Sequence, residues 1–179
     1  MDSIKIKDKC FSISIKSEEI QKEVTRVAEE INRDFEGKNP LFLSVLNGAF
    51  MFTSDLMKQI TIPCEISFVK LASYQGVLSS GHIKEVFGLT EDITDRVIVI
   101  VEDIVDTGLT MQRLLESLGT RSPREIHIAS LLLKPDKLQV SLDVKYVAMR
   151  IPNDFIVGYG LDYDGFGRNY PHIYTIVND

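Results

Sequence analysis

The segment 97–110, which reads VIVIVEDIVDTGLT, constrains the fold of this chain more than any other part. Its first five residues are all apolar and β-branched, a pattern typical of a parallel strand that is covered on both faces. Glu102 and Asp103 follow where this strand, 97–101, is predicted to end. Because ligands of open α/β sheets bind at the carboxyl ends of strands, the sequence predicts a ligand site at these two carboxylates.

Small residues follow the carboxylates, over residues 106–110, and precede a helix predicted from Thr110 to about Leu118. A loop of this composition can surround a phosphate with backbone N–H groups and present it to the helix N-terminus. The segment therefore joins acidic groups, which suit sugar hydroxyls and metal, to a phosphate-binding loop. Asp106 has a second interpretation, because an aspartate before Thr-Gly also suits a helix N-cap.

Predicted helices and strands alternate along the rest of the chain. Ser17 is the predicted N-cap of a helix that Gly37 ends, and a second helix is predicted from Gly48 to about Gln59. Further strands are predicted at 41–46, 65–73, 125–134 and 145–150, with residues 82–88 as the return strand of a hairpin. This order predicts an α/β fold, a mainly parallel sheet flanked by helices. We expect one domain over 1–179, with a core at about 37–150 and a small hood from about 1–16 and 151–179.

Composition excludes several classes of protein. The chain has 179 residues and a net charge of −6, which argues against an extended nucleic-acid surface. Cys10 and Cys64 are too few for a disulfide framework, so reduced thiols in the cytoplasm are expected. Residues 1–19 lack the apolar stretch of a secretory signal, and no apolar run approaches the ~18 residues of a transmembrane helix.

Five segments together resemble one family. Segment 97–110 resembles the ribose-phosphate signature of type I phosphoribosyltransferases, and its Glu-Asp pair with Asp-Thr-Gly resembles the 6-oxopurine branch, the hypoxanthine-guanine phosphoribosyltransferases. LSVLNGAF (43–50) resembles the first pyrophosphate loop of the family, and LASYQGVLSSG (71–81) resembles its mobile catalytic loop. LLLKP (131–135) and residues 155–174 resemble its base-binding and C-terminal active-site segments.

The resemblance implies an enzyme of purine salvage. It would transfer phosphoribose from 5-phosphoribosyl 1-pyrophosphate to hypoxanthine or guanine, giving IMP or GMP and pyrophosphate, with Mg²⁺ required. A homodimer or homotetramer is also implied. Two alternatives remain open at this point: a transferase that prefers xanthine or a pyrimidine, and an RNA-binding regulator on the same fold. The retained Asp106 and Lys134 favour purine catalysis, and the net charge of −6 disfavours an RNA surface.

The resemblance also implies a role for particular residues. Asp106 would be the general acid/base at N7 of the purine. Glu102 and Asp103 would hold the ribose hydroxyls and, with Asp162, the metal. The residues implied to bind phosphoribosyl pyrophosphate are Leu46, Asn47, Gly48, Ser73, Tyr74, Glu102, Asp103, Thr107, Gly108, Leu109, Thr110 and Arg168. Those implied to bind the base are Lys134, Phe155, Ile156 and Asp162.

The chain departs from the family at one position of the pyrophosphate loop. Members usually carry a lysine where this chain has Asn47. The change removes a cation and leaves the backbone N–H groups, so we expect the loop to act through its backbone. In the family the peptide bond at this point can be cis.

Overall fold

The computed structural model of the protein describes residues 3–71 and 86–177. The strands are β1 (Ser3–Ile6), β2 (Lys9–Ile15), β3 (Leu41–Leu46), β4 (Glu65–Leu71), β5 (Val86–Phe87), β6 (Val97–Val105), β7 (Glu125–Leu133), β8 (Tyr146–Arg150), β9 (Ile156–Val157) and β10 (Ile173–Ile176). The helices are α1 (Ser17–Asp34), α2 (Phe50–Met57) and α3 (Leu109–Gly119), with a short 3₁₀ turn at Pro135–Lys137.

The larger sheet has the strand order β5-β4-β3-β6-β7-β8. Its strands pair in parallel from β4 to β8, and β5 pairs antiparallel with β4 at the edge. All five residues of 97–101 are buried, as the unbroken apolar pattern predicts. Val97, Val99 and Val101 face α1 and α2, whereas Ile98 and Ile100 face α3. Both faces of β6 are therefore covered, which confirms the predicted α/β fold class.

The helices cover the sheet with apolar stripes that the sequence already displays. Helix α1 buries Ile20, Val24, Val27, Ala28 and Ile31, at helical spacing. Helix α3 buries Met111, Leu114 and Leu118 on the opposite face of the sheet. No helix within the described ranges combines the length and hydropathy of a membrane-spanning segment.

A smaller antiparallel sheet has the order β1-β2-β10-β9 and joins the two ends of the chain. Its own apolar cluster contains Ile6, Phe11, Val157 and Tyr174. Strand β9 follows β8 closely, so this sheet stands next to the end of the larger sheet where the candidate residues lie.

Several boundaries differ from the sequence prediction. Strand β6 does not end at Val101 but continues to Val105, because β7 pairs with it as far as Leu133. Glu102 and Asp103 thus lie within the strand and not after it. Ser17 is the first residue of α1, where its backbone N–H donates to Nδ1 of His172 at 2.8 Å, and Lys16 is the N-cap. The α1 helix ends at Asp34, before Gly37.

Candidate active site

Two adjacent carboxylates lie near the carboxyl end of β6. Glu102 is buried and accepts a hydrogen bond from the backbone N–H of Asp103 at 3.0 Å. Burial, followed by the negative charge of Asp103, raises the pKa of the Glu102 carboxyl above its ordinary value. Within the described ranges, neither carboxylate is ion-paired with a lysine or arginine. This pair is therefore suited to a cation or to hydroxyl donors supplied by a ligand.

The loop between β3 and α2 lies against these carboxylates. A Cβ atom on Gly48 would stand 1.5 Å from Oδ2 of Asp103, so only glycine leaves room for the carboxylate there. The Leu46–Asn47 peptide bond is cis, as the family resemblance suggested. The Asn47 side chain is exposed. The loop predicted to hold pyrophosphate and the residues predicted to hold ribose are thus in contact.

A cavity of about 80 Å³ lies between the end of β6 and the first turn of α3. It is lined by Glu102, Ile104, Val105, Asp106, Thr107, Gly108, Thr110 and Met111. Gly108 is the N-cap of α3, and Leu109 is its first residue. Backbone N–H groups of a helix N-terminus and two threonine hydroxyls therefore surround a space suited to a phosphate.

Asp106 stands beside this cavity with its two oxygens in different environments. Oδ2 accepts a hydrogen bond from Nζ of Lys137 at 2.8 Å. Oδ1 is buried and has no hydrogen-bond partner among the residues that the structure describes. The alternative interpretation as a helix N-cap is wrong, because Gly108 occupies that position and α3 has no side-chain cap. A buried oxygen without a partner is costly, which points to a partner that a ligand brings.

Lys134 follows the last residue of β7 and is only 6% exposed, so it is not a surface lysine with its charge in solvent. Its Nζ donates to the carbonyl oxygen of Asp154 at 2.8 Å. Burial lowers the pKa of the Lys134 ammonium, and the nearby Asp106 carboxylate opposes that shift. The lysine is held as a fixed donor near the carboxyl ends of two neighbouring strands.

Phe155 is 45% exposed and follows Asp154, whose carbonyl oxygen accepts the hydrogen bond from Lys134. Its ring lies 6.1 Å from Phe11 and 5.8 Å from Tyr163, measured between ring centroids. Ile156 is buried in β9. The aromatic neighbours support the Phe155 ring from the smaller sheet and leave part of it open to a planar ligand.

Arg168 and Asp162 form an ion pair, with Nη2 of the arginine 2.7 Å from Oδ1 of the aspartate. Nη1 of Arg168 also donates to the carbonyl oxygen of Gly160 at 2.7 Å. A Cβ on Gly160 would stand 2.1 Å from the carbonyl oxygen of Gly48. The arginine is therefore bonded to backbone that touches the loop at 46–48, the loop predicted to hold pyrophosphate.

Two predicted sets of residues have different outcomes. Glu102, Asp103 and Asp162 do not converge on one point, because no three metal-ligating side chains within residues 3–71 and 86–177 do so. Asp162 is instead bonded to Arg168 and, through Oδ2, to the backbone N–H of Gly165 at 2.7 Å. Ser73 and Tyr74 lie outside the described residues.

Sequence reasoning missed two contributors to this region. The first is Lys137, which lies one 3₁₀ turn after Lys134. The sequence Pro-Asp-Lys after Lys134 could have predicted this tight turn, which brings both lysines to one side. Tyr159 is buried and donates from its hydroxyl to Oδ2 of Asp55 at 2.7 Å, which joins the C-terminal segment to α2. No local sequence pattern predicts that contact, because the two residues are distant in sequence.

Comparison with known proteins identifies relatives across nearly the whole chain. The phosphoribosyl transferase domain family matches residues 14–164. A hypoxanthine-guanine phosphoribosyltransferase of Mycobacterium tuberculosis is 38% identical over 172 residues, which cover 92% of this chain and 85% of that protein. The crystal structure of a hypoxanthine phosphoribosyltransferase from Staphylococcus aureus superposes with a TM-score of 0.84 at 34% identity, over 93% of this chain and 91% of that one. The hypoxanthine phosphoribosyltransferase of Trypanosoma cruzi gives a TM-score of 0.84 at 33% identity, over 97% and 95% of the two chains.

Proposed function

Because this chain belongs to the phosphoribosyltransferase family, among the hypoxanthine-guanine phosphoribosyltransferases, we propose that it acts in purine salvage on hypoxanthine and guanine. It transfers phosphoribose from 5-phosphoribosyl 1-pyrophosphate to N9 of the base and releases IMP or GMP and pyrophosphate. The observation that carries this assignment is the placement of Asp106 and Lys134 at the ends of two neighbouring strands, beside the carboxylates of β6.

The reaction forms one bond to C1′ of the ribose and breaks another. The N9 lone pair forms the N9–C1′ bond, and the bond from C1′ to the pyrophosphate oxygen breaks with its electrons leaving on pyrophosphate. The proton that the base carried on N7 is transferred to the Asp106 carboxylate. Oδ1 of Asp106, buried and without a partner in the described part of the chain, is the oxygen placed to accept it.

Cationic character on the ribose grows as the pyrophosphate leaves. The carboxylates of Glu102 and Asp103 hold the ribose hydroxyls and bring negative charge to that ring. The loop at 46–48 offers backbone groups to the pyrophosphate, and Arg168 supplies a cation nearby. The phosphate of the ribose occupies the cavity at the start of α3.

Lys134 selects the base. Its buried ammonium is an obligatory donor, which matches the carbonyl oxygen O6 of hypoxanthine or guanine. An adenine amino group at that position would place a donor against a donor and leave both without a partner. Phe155 stacks on the purine face, and Ile156 contacts the base through its backbone.

The donor set of β6 fits Mg²⁺. Two adjacent carboxylates, one of them buried, have no ion-paired lysine or arginine in the described ranges, and carboxylate oxygens are the ligands that this ion prefers. Glu102 and Asp103 would hold the ion on this proposal, whereas Asp162 is paired with Arg168 and orients that arginine instead. When bound, Mg²⁺ neutralises charge on the phosphoribosyl pyrophosphate.

We also propose that the chain assembles as a homodimer or homotetramer. Phe50, Ile66 and Phe68, each at least 40% exposed, line one groove between α2 and β4. The structure of the Trypanosoma cruzi relative concerns the role of its C-terminal region in oligomeric state and activity. Light scattering of this protein and of a Phe68→Glu variant tests the proposal, since a monomeric wild type would reject it.

One assay tests the proposed function. The purified protein is given phosphoribosyl pyrophosphate with hypoxanthine, guanine, xanthine, adenine or uracil, each with Mg²⁺ and with EDTA. We expect nucleotide and pyrophosphate from hypoxanthine and guanine, only when Mg²⁺ is present. Turnover confined to uracil or adenine, or no turnover of any base, would overturn it.

A further inference from the structure

The 3₁₀ turn at Pro135–Lys137 presents two lysines to the active site. Lys134 precedes the turn, and its backbone N–H donates to the carbonyl oxygen of Val105 at 3.0 Å. The backbone N–H of Lys137 donates in turn to the carbonyl oxygen of Lys134 at 3.2 Å. The turn is thus bonded to the end of β6, next to Asp106, and both ammonium groups stand on that side.

The same segment also supports the phosphate-binding loop. The backbone N–H of Gln139 donates to the carbonyl oxygen of Thr107 at 2.9 Å. Side chains of Leu138, Val140 and Leu142 lie against Gly108, within 3.2 Å of where its Cβ would stand. Lys137 therefore sits on backbone that is attached at both ends to the segment carrying Asp106, which keeps its side chain within reach of that carboxylate.

Lys137 and Asp106 are each about two-fifths exposed, with side-chain values of 37% and 38%. An ion pair this open contributes little to stability, because solvent screens it. It does have a directional effect on Asp106. The Lys137 ammonium occupies Oδ2 and leaves Oδ1 as the buried oxygen without a partner among the described residues.

We propose that Lys137 is a positioning residue for Asp106, acting on the proton transfer by fixing the rotation of the carboxylate. With Lys137 on Oδ2, Oδ1 is the oxygen that receives the N7 proton, and the base keeps its electrons for the bond from N9 to C1′. Lys134, which binds the base, directly precedes the turn, so the group that selects the substrate and the group that orients the acid/base are held together. This inference rests on the proposed function.

The test combines steady-state kinetics with a double-mutant cycle. In Lys137→Met and Lys137→Gln we expect kcat for hypoxanthine to fall about 10- to 100-fold, since the Asp106 carboxylate is no longer held in its orientation. KM for phosphoribosyl pyrophosphate should stay within about 3-fold, because Lys137 touches no substrate on this proposal. Lys137→Arg should keep kcat within about 5-fold, since a single point contact needs a cation only.

In the Asp106→Asn background, Lys137→Met should lower the residual kcat by less than about 2-fold, because its effect passes through Asp106. Lys145→Met is the matched control, since Lys145 is 42% exposed and pairs with Asp34 at 3.1 Å away from the site. Thermal unfolding shows whether each variant is folded. If only one of the two neutral variants at Lys137 folds, that variant alone is enough for the test.

Three results would overturn the inference while leaving the proposed function intact. Normal kcat in both neutral variants at Lys137 would exclude a role in turnover. If the fold-losses in kcat of the two single variants multiply in the double variant, Lys137 acts independently of Asp106. If kcat falls equally in Lys137→Met and Lys145→Met, the loss is a general effect of removing an ion-paired lysine. Normal kcat in Asp106→Asn would instead reject the acid/base assignment of the proposed function, and this inference with it.

Discussion

The backbone of Gly160 lies directly against the carbonyl oxygen of Gly48, closely enough that a Cβ atom on Gly160 would stand 2.1 Å from it. The first glycine belongs to the C-terminal segment and the second to the loop between β3 and α2. Gly48 in turn contacts the Asp103 carboxylate. Three parts of the chain that are distant in sequence thus meet at the predicted pyrophosphate end of the site, and any side chain added there must push them apart.

Gly160→Ala should therefore impair activity as well as stability. Gly160 has φ +101, which costs ~1–3 kcal/mol for alanine, and the clash with Gly48 adds ~1–3 kcal/mol. KM for phosphoribosyl pyrophosphate should rise, because the loop at 46–48 is displaced. Urea unfolding and initial rates at varied substrate check both effects.

The matched control is Gly165→Ala. Gly165 also has a positive φ, +85, but nothing lies within 4 Å of its Cβ position. Gly165→Ala should lower the free energy of unfolding, because alanine is strained at a positive φ, but it should change KM for phosphoribosyl pyrophosphate little. Equal KM values for the two variants would show that contact with Gly48 is irrelevant to substrate binding.

Asp106→Asn should keep substrate binding and lose turnover. The amide cannot accept the proton from N7, and loss of a general acid/base costs about 10²–10⁴ in rate. Initial rates with hypoxanthine give kcat, and the thermal shift produced by Mg²⁺ with phosphoribosyl pyrophosphate gives binding. Asp143→Asn, at an exposed position, is the control. A near-normal kcat in Asp106→Asn would rule out the assigned role.

Lys134→Gln should narrow the preference for 6-oxopurines. The buried ammonium is a donor only, whereas a glutamine amide can also accept a hydrogen bond from an amino group. We expect kcat/KM for hypoxanthine to fall by about 10- to 100-fold. The ratio of kcat/KM for hypoxanthine to kcat/KM for adenine should therefore become smaller. Lys22→Gln, on the exposed face of α1, should leave both values unchanged. An unaltered ratio in Lys134→Gln would mean that selection lies elsewhere.

Asp55 should make a pH-dependent contribution to stability. Burial raises the pKa of its carboxyl, but hydrogen bonds from Lys58, Tyr159 and Gln21 outweigh burial and lower that pKa below its ordinary value of 3.8. The contribution is therefore present above pH 3.8 and is lost as the pH falls through the lowered pKa of the folded state.

At pH 7, Asp55→Asn should lower the free energy of unfolding by ~1–3 kcal/mol, because Tyr159 and Gln21 lose a charged acceptor. The difference from wild type should shrink at pH values below 3.8. Urea unfolding at both pH values, with Asp143→Asn as control, measures this. If the difference in free energy of unfolding between wild type and Asp55→Asn grows toward low pH, the predicted pH dependence is wrong.

Much of the framework could be read from local pattern. Burial of β6 on both faces follows from five β-branched residues in a row, and the stripe of α1 follows from helical spacing, because side-chain direction repeats with a fixed period in each element. The place of the carboxylates does not follow from that period: they were predicted to follow a strand that ends at Val101, and they lie inside β6. The individual roles of residues around them came from resemblance and remain proposals.

The sequence by itself determined the kind of elements, their order and which residues could carry charge into a ligand site. Only the tertiary structure decided which of those residues meet: Lys137 with Asp106, Gly160 with Gly48, and Tyr159 with Asp55. It also decided that β6 continues past Val101, since that length depends on β7 as a partner. The reason is physical. Periodicity reports how a side chain points relative to its own strand or helix, whereas these contacts depend on where loops return, which is settled by packing between distant segments.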